Sequence, residues 1–109
     1  MAEYAAKRNP DRCPTHPGAL LRDVVVPATG MTKTEIATLL GISRQHFHDI
    51  LEERKPVSPA MAVRLGKLFG DGAGVWGRMQ CAHDTWRAER ALADEIKKIP
   101  TLKPVDCRQ

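Results

Sequence analysis

Three polar side chains near the middle of the chain have the types and spacing needed to read the edges of DNA bases. Arg44, Gln45 and His48 lie on one face of a short predicted helix, opposite its apolar residues. An arginine can donate two hydrogen bonds to guanine O6 and N7, and a glutamine can pair with adenine N6 and N7. Because the first turns of a recognition helix enter the major groove, we expect Arg44 and Gln45 to read bases, with His48 assisting.

A second group of polar residues surrounds that helix and could hold the DNA backbone. Hydroxyl groups, free N–H groups at a helix start and cationic side chains all bind phosphate oxygens. The residues predicted to bind phosphates are Lys33, Thr34, Ser43, His46, Arg54 and Lys55. Glu52 and Glu53 lie beside them, and two acids there would repel phosphate unless they point away or make contacts at the helix end.

The elements that must position these side chains form a helix-turn-helix pattern. Thr32 and Glu35 have the capping-box spacing that starts a helix. Gly41 stands where a helix ends on a left-handed residue, and Ser43 can cap the next helix. The small Ala37 allows the two helices to cross closely. The apolar residues that fix the second helix to the core are Ile42, Phe47 and Ile50.

The remaining chain is predicted to be helical, because no segment shows the period-2 alternation of a β-strand. The first helix is expected to begin at His16–Pro17 and to end at Pro27. Another opens at the Ser58–Pro59 cap, and the last runs from about residue 73 to residue 99. The buried faces of these helices are predicted to include Val24 and Leu39. The fold class is therefore all-α, with five helices and an extended C-terminal helix.

The end of the last predicted helix is charged except for a narrow apolar stripe. Its members are spaced to share one face of the helix, and they are Leu92, Ile96 and Ile99. Such a stripe could form a dimer or partner surface, or it could cover the domain's own core. The residues themselves leave both alternatives open.

Length and composition restrict the class of protein. The chain has 109 residues, 42% of them hydrophobic, and a formal net charge of +4. This length fits one domain, and the charge allows a polyanionic partner without requiring one. No apolar run reaches the roughly 18 residues of a membrane helix. Because Cys13, Cys81 and Cys107 suit a reducing compartment better than a disulfide framework, we expect a cytoplasmic protein that does not associate with membranes.

Residues 1–15 show no apolar periodicity, and residues 100–109 contain two prolines. We therefore expect a flexible arm over residues 1–15, a helix-turn-helix domain over residues 16–99 and a flexible tail over residues 100–109.

No pattern of catalytic or metal-binding residues emerges. The nearest metal candidates are three Cys and His pairs, Cys13/His16, His46/His48 and Cys81/His83. A structural zinc site needs four converging ligands. Residues two apart on a helix point about 200° apart, so His46/His48 and Cys81/His83 cannot easily chelate, and Cys13/His16 lacks a second pair. The sequence also lacks a glycine-rich phosphate loop and a nucleophile elbow. We expect no enzymatic activity, no metal and no cofactor.

Several motifs together resemble the HigA-type antitoxins, within the Xre/Cro-like helix-turn-helix superfamily. They span about residues 15 to 87. The motifs are Thr15-His16-Pro17-Gly18, Leu40-Gly41-Ile42-Ser43-Arg44-Gln45, Ser58-Pro59-Ala60-Met61-Ala62-Val63-Arg64-Leu65, Phe69-Gly70, Val75-Trp76 and the segment from Gln80 to Trp86. His83 replaces the usual tyrosine of the last motif. Two further departures are Glu52-Glu53 in place of an Asn-Gly-like turn, and Gly72-Ala73-Gly74 in place of a Ser-Pro-Glu helix start.

The resemblance implies a lambda-repressor-like domain that acts as a homodimer on a palindromic operator. It also implies a partner, a HigB-like toxin that cleaves mRNA, which the antitoxin neutralises while repressing their shared operon. Two alternatives stay open. The protein could be a stand-alone repressor without a toxin, or a protein-binding module that has lost its affinity for DNA.

Overall fold

The computed structural model describes residues 11–102, which form helices and turns with no β-strand in that range. In chain order the helices are α1 (Pro17–Leu20, continuing through Leu21–Val25 and Val26–Thr29), α2 (Lys33–Leu40), α3 (Arg44–Leu51), α4 (Pro59–Phe69), α5 (Ala73–Ala91) and α6 (Ala93–Lys97). The prediction of an all-α fold is confirmed. Parts of the predicted arm and tail, residues 1–10 and 103–109, lie outside the described residues.

Helix α1 is longer than the sequence predicts. Pro27 does not end it, and the helix continues to Thr29 before Gly30 adopts a left-handed conformation with φ of 70°. A proline in a helix removes one backbone hydrogen bond, and its ring clashes with the carbonyl group one turn earlier. Residues Leu21–Val25, which end two positions before Pro27, form a wider π-helical turn. This wider turn accommodates the proline, so predicting a helix end there was wrong.

The last helix is divided, so the described residues contain six helices where the sequence predicts five. Helix α5 ends at Ala91, and α6 begins at Ala93. Leu92 between them has φ of −102° and ψ of 15°, outside the helical region. No glycine or proline marks this break, which explains why one continuous helix was predicted.

The core is formed by buried apolar side chains from each of the helices α1 to α5. Its largest fully buried side chains are Trp76, Phe47, Leu21, Ile36, Ile50, Leu51 and Leu65. Val24 and Leu39 are more than half exposed, so predicting them as buried was wrong. Val24 lies in the π-helical turn, which changes the direction of its side chain. Leu39 lies about 60° outside the arc occupied by the buried residues of α2.

Helix α1 contacts the end of α3 very closely at Gly18. A Cβ atom at this position would overlap the carbonyl oxygen of Ile50. The side chain of His16 begins the helix, since its Nδ1 atom accepts a hydrogen bond of 2.8 Å from the Gly18 N–H. Only glycine allows the two backbones to approach this far, and the contact fixes where α3 lies.

Candidate nucleic-acid interface

Side-chain caps define the starts of both helices of the helix-turn-helix. The Thr32 hydroxyl accepts from the Glu35 N–H at 3.1 Å, and the Glu35 carboxylate accepts from the Thr32 N–H at 2.8 Å. The Ser43 hydroxyl accepts from the His46 N–H at 3.0 Å. Both predicted caps are confirmed. The caps fix the first turns of α2 and α3, the turns that carry most of the predicted DNA contacts.

The turn between α2 and α3 is closed by a left-handed glycine. Gly41 has φ of 76°, as the sequence predicts. Two hydrogen bonds of 3.1 Å complete the turn, one from the Ile42 N–H to the Ala37 carbonyl and one from the Gly41 N–H to the Thr38 carbonyl. This pair of bonds satisfies carbonyl groups that a helix end otherwise leaves unpaired. The direction of α3 relative to α2 is therefore set by the backbone.

Arg64 on α4 supports the same turn, a role that the sequence did not predict. Its Nη1 atom donates a hydrogen bond of 2.7 Å to the carbonyl oxygen of Leu40, at the end of α2. A Cβ atom at Gly41 would lie only 2.8 Å from that Nη1 atom. Because this contact joins residues 24 positions apart, no local pattern could have indicated it.

Two of the three predicted base-reading residues lie at the start of α3, and His48 lies one turn further along. Arg44 and Gln45 are exposed, whereas His48 is only partly exposed. Lys33 and Thr34 are exposed at the start of α2, which packs against α3 through the core. Their contacts with bases and phosphates stay predictions. The structure thus leaves polar side chains accessible at the starts of two fixed helices.

Two of the predicted phosphate-binding residues contact an acid that received no predicted role. The Asp49 carboxylate accepts a hydrogen bond of 2.9 Å from Gln45 Nε2. It also lies 3.5 Å from Arg54 Nη1 and 3.7 Å from Lys55 Nζ. The backbone N–H groups of Arg54 and Lys55 donate to the Asp49 carbonyl oxygen at 2.8 and 3.2 Å. One acid thereby joins the exposed face of α3 to the basic loop that follows it.

The charges around Asp49 keep its carboxylate ionised. Partial burial acts most strongly on the pKa of Asp49 and would raise it. The hydrogen bond from Gln45 and the charges of Lys55 and Arg54 together outweigh burial, so the pKa of Asp49 is lowered from its ordinary value. At neutral pH this group therefore only accepts hydrogen bonds.

Of the two acids after α3, Glu53 makes a side-chain contact at the end of that helix. Glu53 occupies the position where an asparagine-glycine turn would be usual, and it is left-handed, with φ of 63°. Its carboxylate lies 3.5 Å from Arg22 Nη1 on α1. The same Nη1 atom donates to the carbonyl oxygen of Leu51 at 3.1 Å. Arg22 therefore caps α3 and partly neutralises Glu53, which reduces the repulsion expected between this acid and phosphates.

The apolar stripe at the C-terminal end does not cover the core. Leu92, Ile96 and Ile99 are 49%, 45% and 67% exposed. The second alternative from the sequence, in which these residues complete the domain's own core, is therefore wrong. Their role as a dimer or partner surface stays a prediction.

The described residues, 11–102, contain no group of three or more His, Cys, Asp and Glu side chains placed to hold a metal ion. Cys13 and His83 come close, with 3.5 Å between Sγ and Nδ1, but His83 Nδ1 also donates at 2.8 Å to the Pro14 carbonyl oxygen. In the same range, every helix is too short or too polar to cross a membrane.

The fold and the exposed start of α3 define a helix-turn-helix domain of the Xre/Cro-like class. No family model matches the sequence. Virulence-associated protein A of Dichelobacter nodosus is 33% identical over 89 residues, which cover 81% of this chain and 87% of that protein.

Solved structures of antitoxins bound to DNA superpose on this chain. Antitoxin GraA in complex with its operator is 32% identical, with a TM-score of 0.78 and coverage of 90% of this chain and 98% of that one. The Pseudomonas aeruginosa antitoxin HigA with the higBA promoter is 29% identical, with a TM-score of 0.74 and coverage of 84% and 98%. The chain belongs to the HigA-type antitoxins.

Proposed function

We propose that this protein binds its own promoter DNA sequence-specifically through α3 and represses the operon that encodes it. The observation that carries the proposal is the exposed polar start of α3, held by a serine cap, a left-handed glycine turn and the close contact of α1. A recognition helix must be held rigidly to discriminate between bases, because a displaced side chain loses its paired hydrogen bonds. The operator complexes of similar antitoxins support the same mode of binding.

In this proposal Arg44 and Gln45 read bases in the major groove, and His48 assists them. The start of α2, the Ser43 cap and the loop after α3 contribute the phosphate contacts. These contacts come from Lys33, Thr34, Ser43, His46, Arg54 and Lys55, as the sequence predicts. Phosphate contacts set the register of the protein on DNA, whereas base contacts supply the sequence preference.

The active unit is a homodimer on a palindromic operator. Two recognition helices that enter successive turns of the major groove lie about 34 Å apart, so a two-fold axis between them requires a palindrome. The exposed stripe of Leu92, Ile96 and Ile99 supports a dimer through the C-terminal end. Repression then results because the bound dimer occupies the promoter.

The family also supports a second role, in which the protein binds and neutralises a HigB-like ribonuclease toxin. It would act in the cytoplasm by binding the toxin and would itself catalyse no reaction. Co-purification with the product of a small neighbouring reading frame tests this role. Failure to bind that product would favour a stand-alone repressor.

Fluorescence anisotropy with the protein's own upstream promoter tests the DNA-binding proposal. A scrambled duplex of equal length is the control, and a salt series separates phosphate contacts from base contacts. We expect the promoter to be preferred about 1000-fold, within the usual range for specific binding. Equal, weak binding to both duplexes would contradict the proposal and favour a module that only binds protein.

A further inference from the structure

We propose that Asp49 is a positioning residue that orients the Gln45 carboxamide and so makes Gln45 selective for adenine. The inference rests on the proposed function and deepens it, since it names the base that Gln45 recognises and the residue that sets this choice. Asp49 itself contacts no base in this account.

The hydrogen bond between Gln45 and Asp49 determines which atoms of the Gln45 carboxamide face Asp49 and which remain available to DNA. The two residues are one helical turn apart, and Gln45 Nε2 lies 2.9 Å from Asp49 Oδ1. A carboxylate offers only acceptors, so the amide nitrogen of Gln45 must face it. The carbonyl oxygen and the second N–H of Gln45 are then left to form contacts with DNA.

A carbonyl oxygen beside an N–H matches the major-groove edge of adenine. Adenine offers the N6 amino group as a donor next to the N7 acceptor, whereas guanine offers two acceptors, O6 and N7. Against guanine, the Gln45 carbonyl oxygen would face another acceptor. The fixed carboxamide therefore favours adenine.

Asp49 is itself held in place from the other side. Its side chain is only 15% exposed, and Arg54 and Lys55 lie 3.5 and 3.7 Å from its two carboxylate oxygens. The backbone bonds of the same two residues to the Asp49 carbonyl keep the loop against α3. The two cations also offset the repulsion between this acid and the DNA phosphates.

A simpler alternative is that Asp49 is an acid that repels DNA of every sequence equally. The two explanations differ in what removal of Asp49 changes. Loss of a repelling acid raises affinity for all duplexes alike, whereas loss of a positioning acid lowers the preference for one base pair.

The test is a double-mutant cycle with Asp49→Ala and Gln45→Ala. Binding is measured by anisotropy on the promoter duplex and on duplexes in which each A·T pair of one half-site is replaced by G·C. We expect each single variant to lose about tenfold in preference at the same A·T pair. The double variant should lose no more than Gln45→Ala alone, because both changes remove one interaction.

Two further variants test whether the loss of A·T preference comes from the hydrogen bond between Gln45 and Asp49. Asp49→Asn keeps an oxygen that accepts from Gln45, so it should retain most of the A·T preference. Glu52→Ala removes a neighbouring exposed acid, and it should leave the preference unchanged at every position. Thermal unfolding of each variant checks that the domain remains folded.

The outcomes separate this inference from the proposed function. If wild type does not prefer the promoter over the scrambled duplex, the proposed function fails. If wild type prefers the promoter and Gln45→Ala loses the A·T preference while Asp49→Ala keeps it, only the role of Asp49 is overturned. A Gln45→Ala variant that keeps every preference would also overturn the inference, because Gln45 would then read no base.

Discussion

The helix-turn-helix and the C-terminal end of this domain are built in opposite ways. Helices α2 and α3 both start with side-chain caps, and α2 ends on a left-handed glycine supported by Arg64. Helices α5 and α6 have no side-chain cap, and every residue of α6 is exposed. The local structure of the first region is therefore fixed within the monomer, whereas the second region leaves apolar side chains exposed.

The largest effect is expected where α1 meets α3. Changing Gly18 to alanine places a Cβ atom on the Ile50 carbonyl oxygen, so the two helices must separate. We expect a loss of about 3 kcal/mol in the free energy of unfolding, measured by urea denaturation. Gly77→Ala on α5 is the matched control, because a Cβ there meets nothing within 4 Å. It should stabilise the protein by roughly 0.5–1 kcal/mol.

Equal effects of Gly18→Ala and Gly77→Ala on the free energy of unfolding would show that the close contact between Gly18 and Ile50 does not limit stability.

A smaller effect is expected at the turn between α2 and α3. In the Gly41→Ala variant the left-handed backbone costs roughly 1–2 kcal/mol of stability. The new Cβ must also displace the Arg64 guanidinium. Gly30→Ala has a similar positive φ but open space around it, so the difference between the variants measures the Arg64 contact. If Gly30→Ala proved the more destabilising, Arg64 would not support the turn.

The stability of the domain should depend on pH through a histidine pair where the start of α1 meets α5. The rings of His16 and His83 meet edge to face, with centroids 5.0 Å apart. Burial, followed by the charge of His83, lowers the pKa of His16 from its ordinary value of 6.5. The unfolded chain therefore binds the proton more readily, and stability should fall as pH decreases below about 6.5.

Urea denaturation between pH 5 and pH 7.5 measures this dependence. His16→Asn retains a side-chain acceptor for the Gly18 N–H but does not titrate, so it should flatten the pH profile. An unchanged profile in this variant would assign the pH dependence to other groups.

The smallest effect on monomer stability is expected at the apolar stripe. Replacing exposed Ile96 by lysine should change the free energy of unfolding of the monomer by no more than about 0.5 kcal/mol. If the stripe forms the dimer, sedimentation should nevertheless show dissociation at concentrations where wild type is dimeric. A dimer of unchanged stability would show that the stripe is not part of the dimer interface.

The sequence predicted the elements that depend on local signals. Thr32 and Glu35 form a capping box at fixed spacing, and Gly41 and Ser43 end and begin helices through their own backbone and side-chain geometry. These features need no knowledge of the rest of the fold. The polar start of α3 was predicted for the same reason.

The features that the sequence did not predict depend on distant contacts or on subtle backbone changes. Arg22 and Arg64 cap helix ends 29 and 24 residues away, and no periodicity connects such pairs. The π-helical turn before Pro27 and the break at Leu92 alter single turns of the backbone. The sequence placed Asp49 on the polar face of α3. Its contacts with Arg54 and Lys55 could not be predicted, because they depend on the position of the following loop.

The Arg44→Ala variant tests most directly whether α3 reads promoter DNA. Its binding to the promoter is compared with binding to duplexes that carry single base-pair changes, with Lys33→Ala as the control. Arg44→Ala should lose roughly 1–3 kcal/mol of binding free energy and the preference at one base-pair position, whereas Lys33→Ala should weaken binding to all duplexes alike. An Arg44→Ala variant that still discriminates among the duplexes as wild type does would contradict the account.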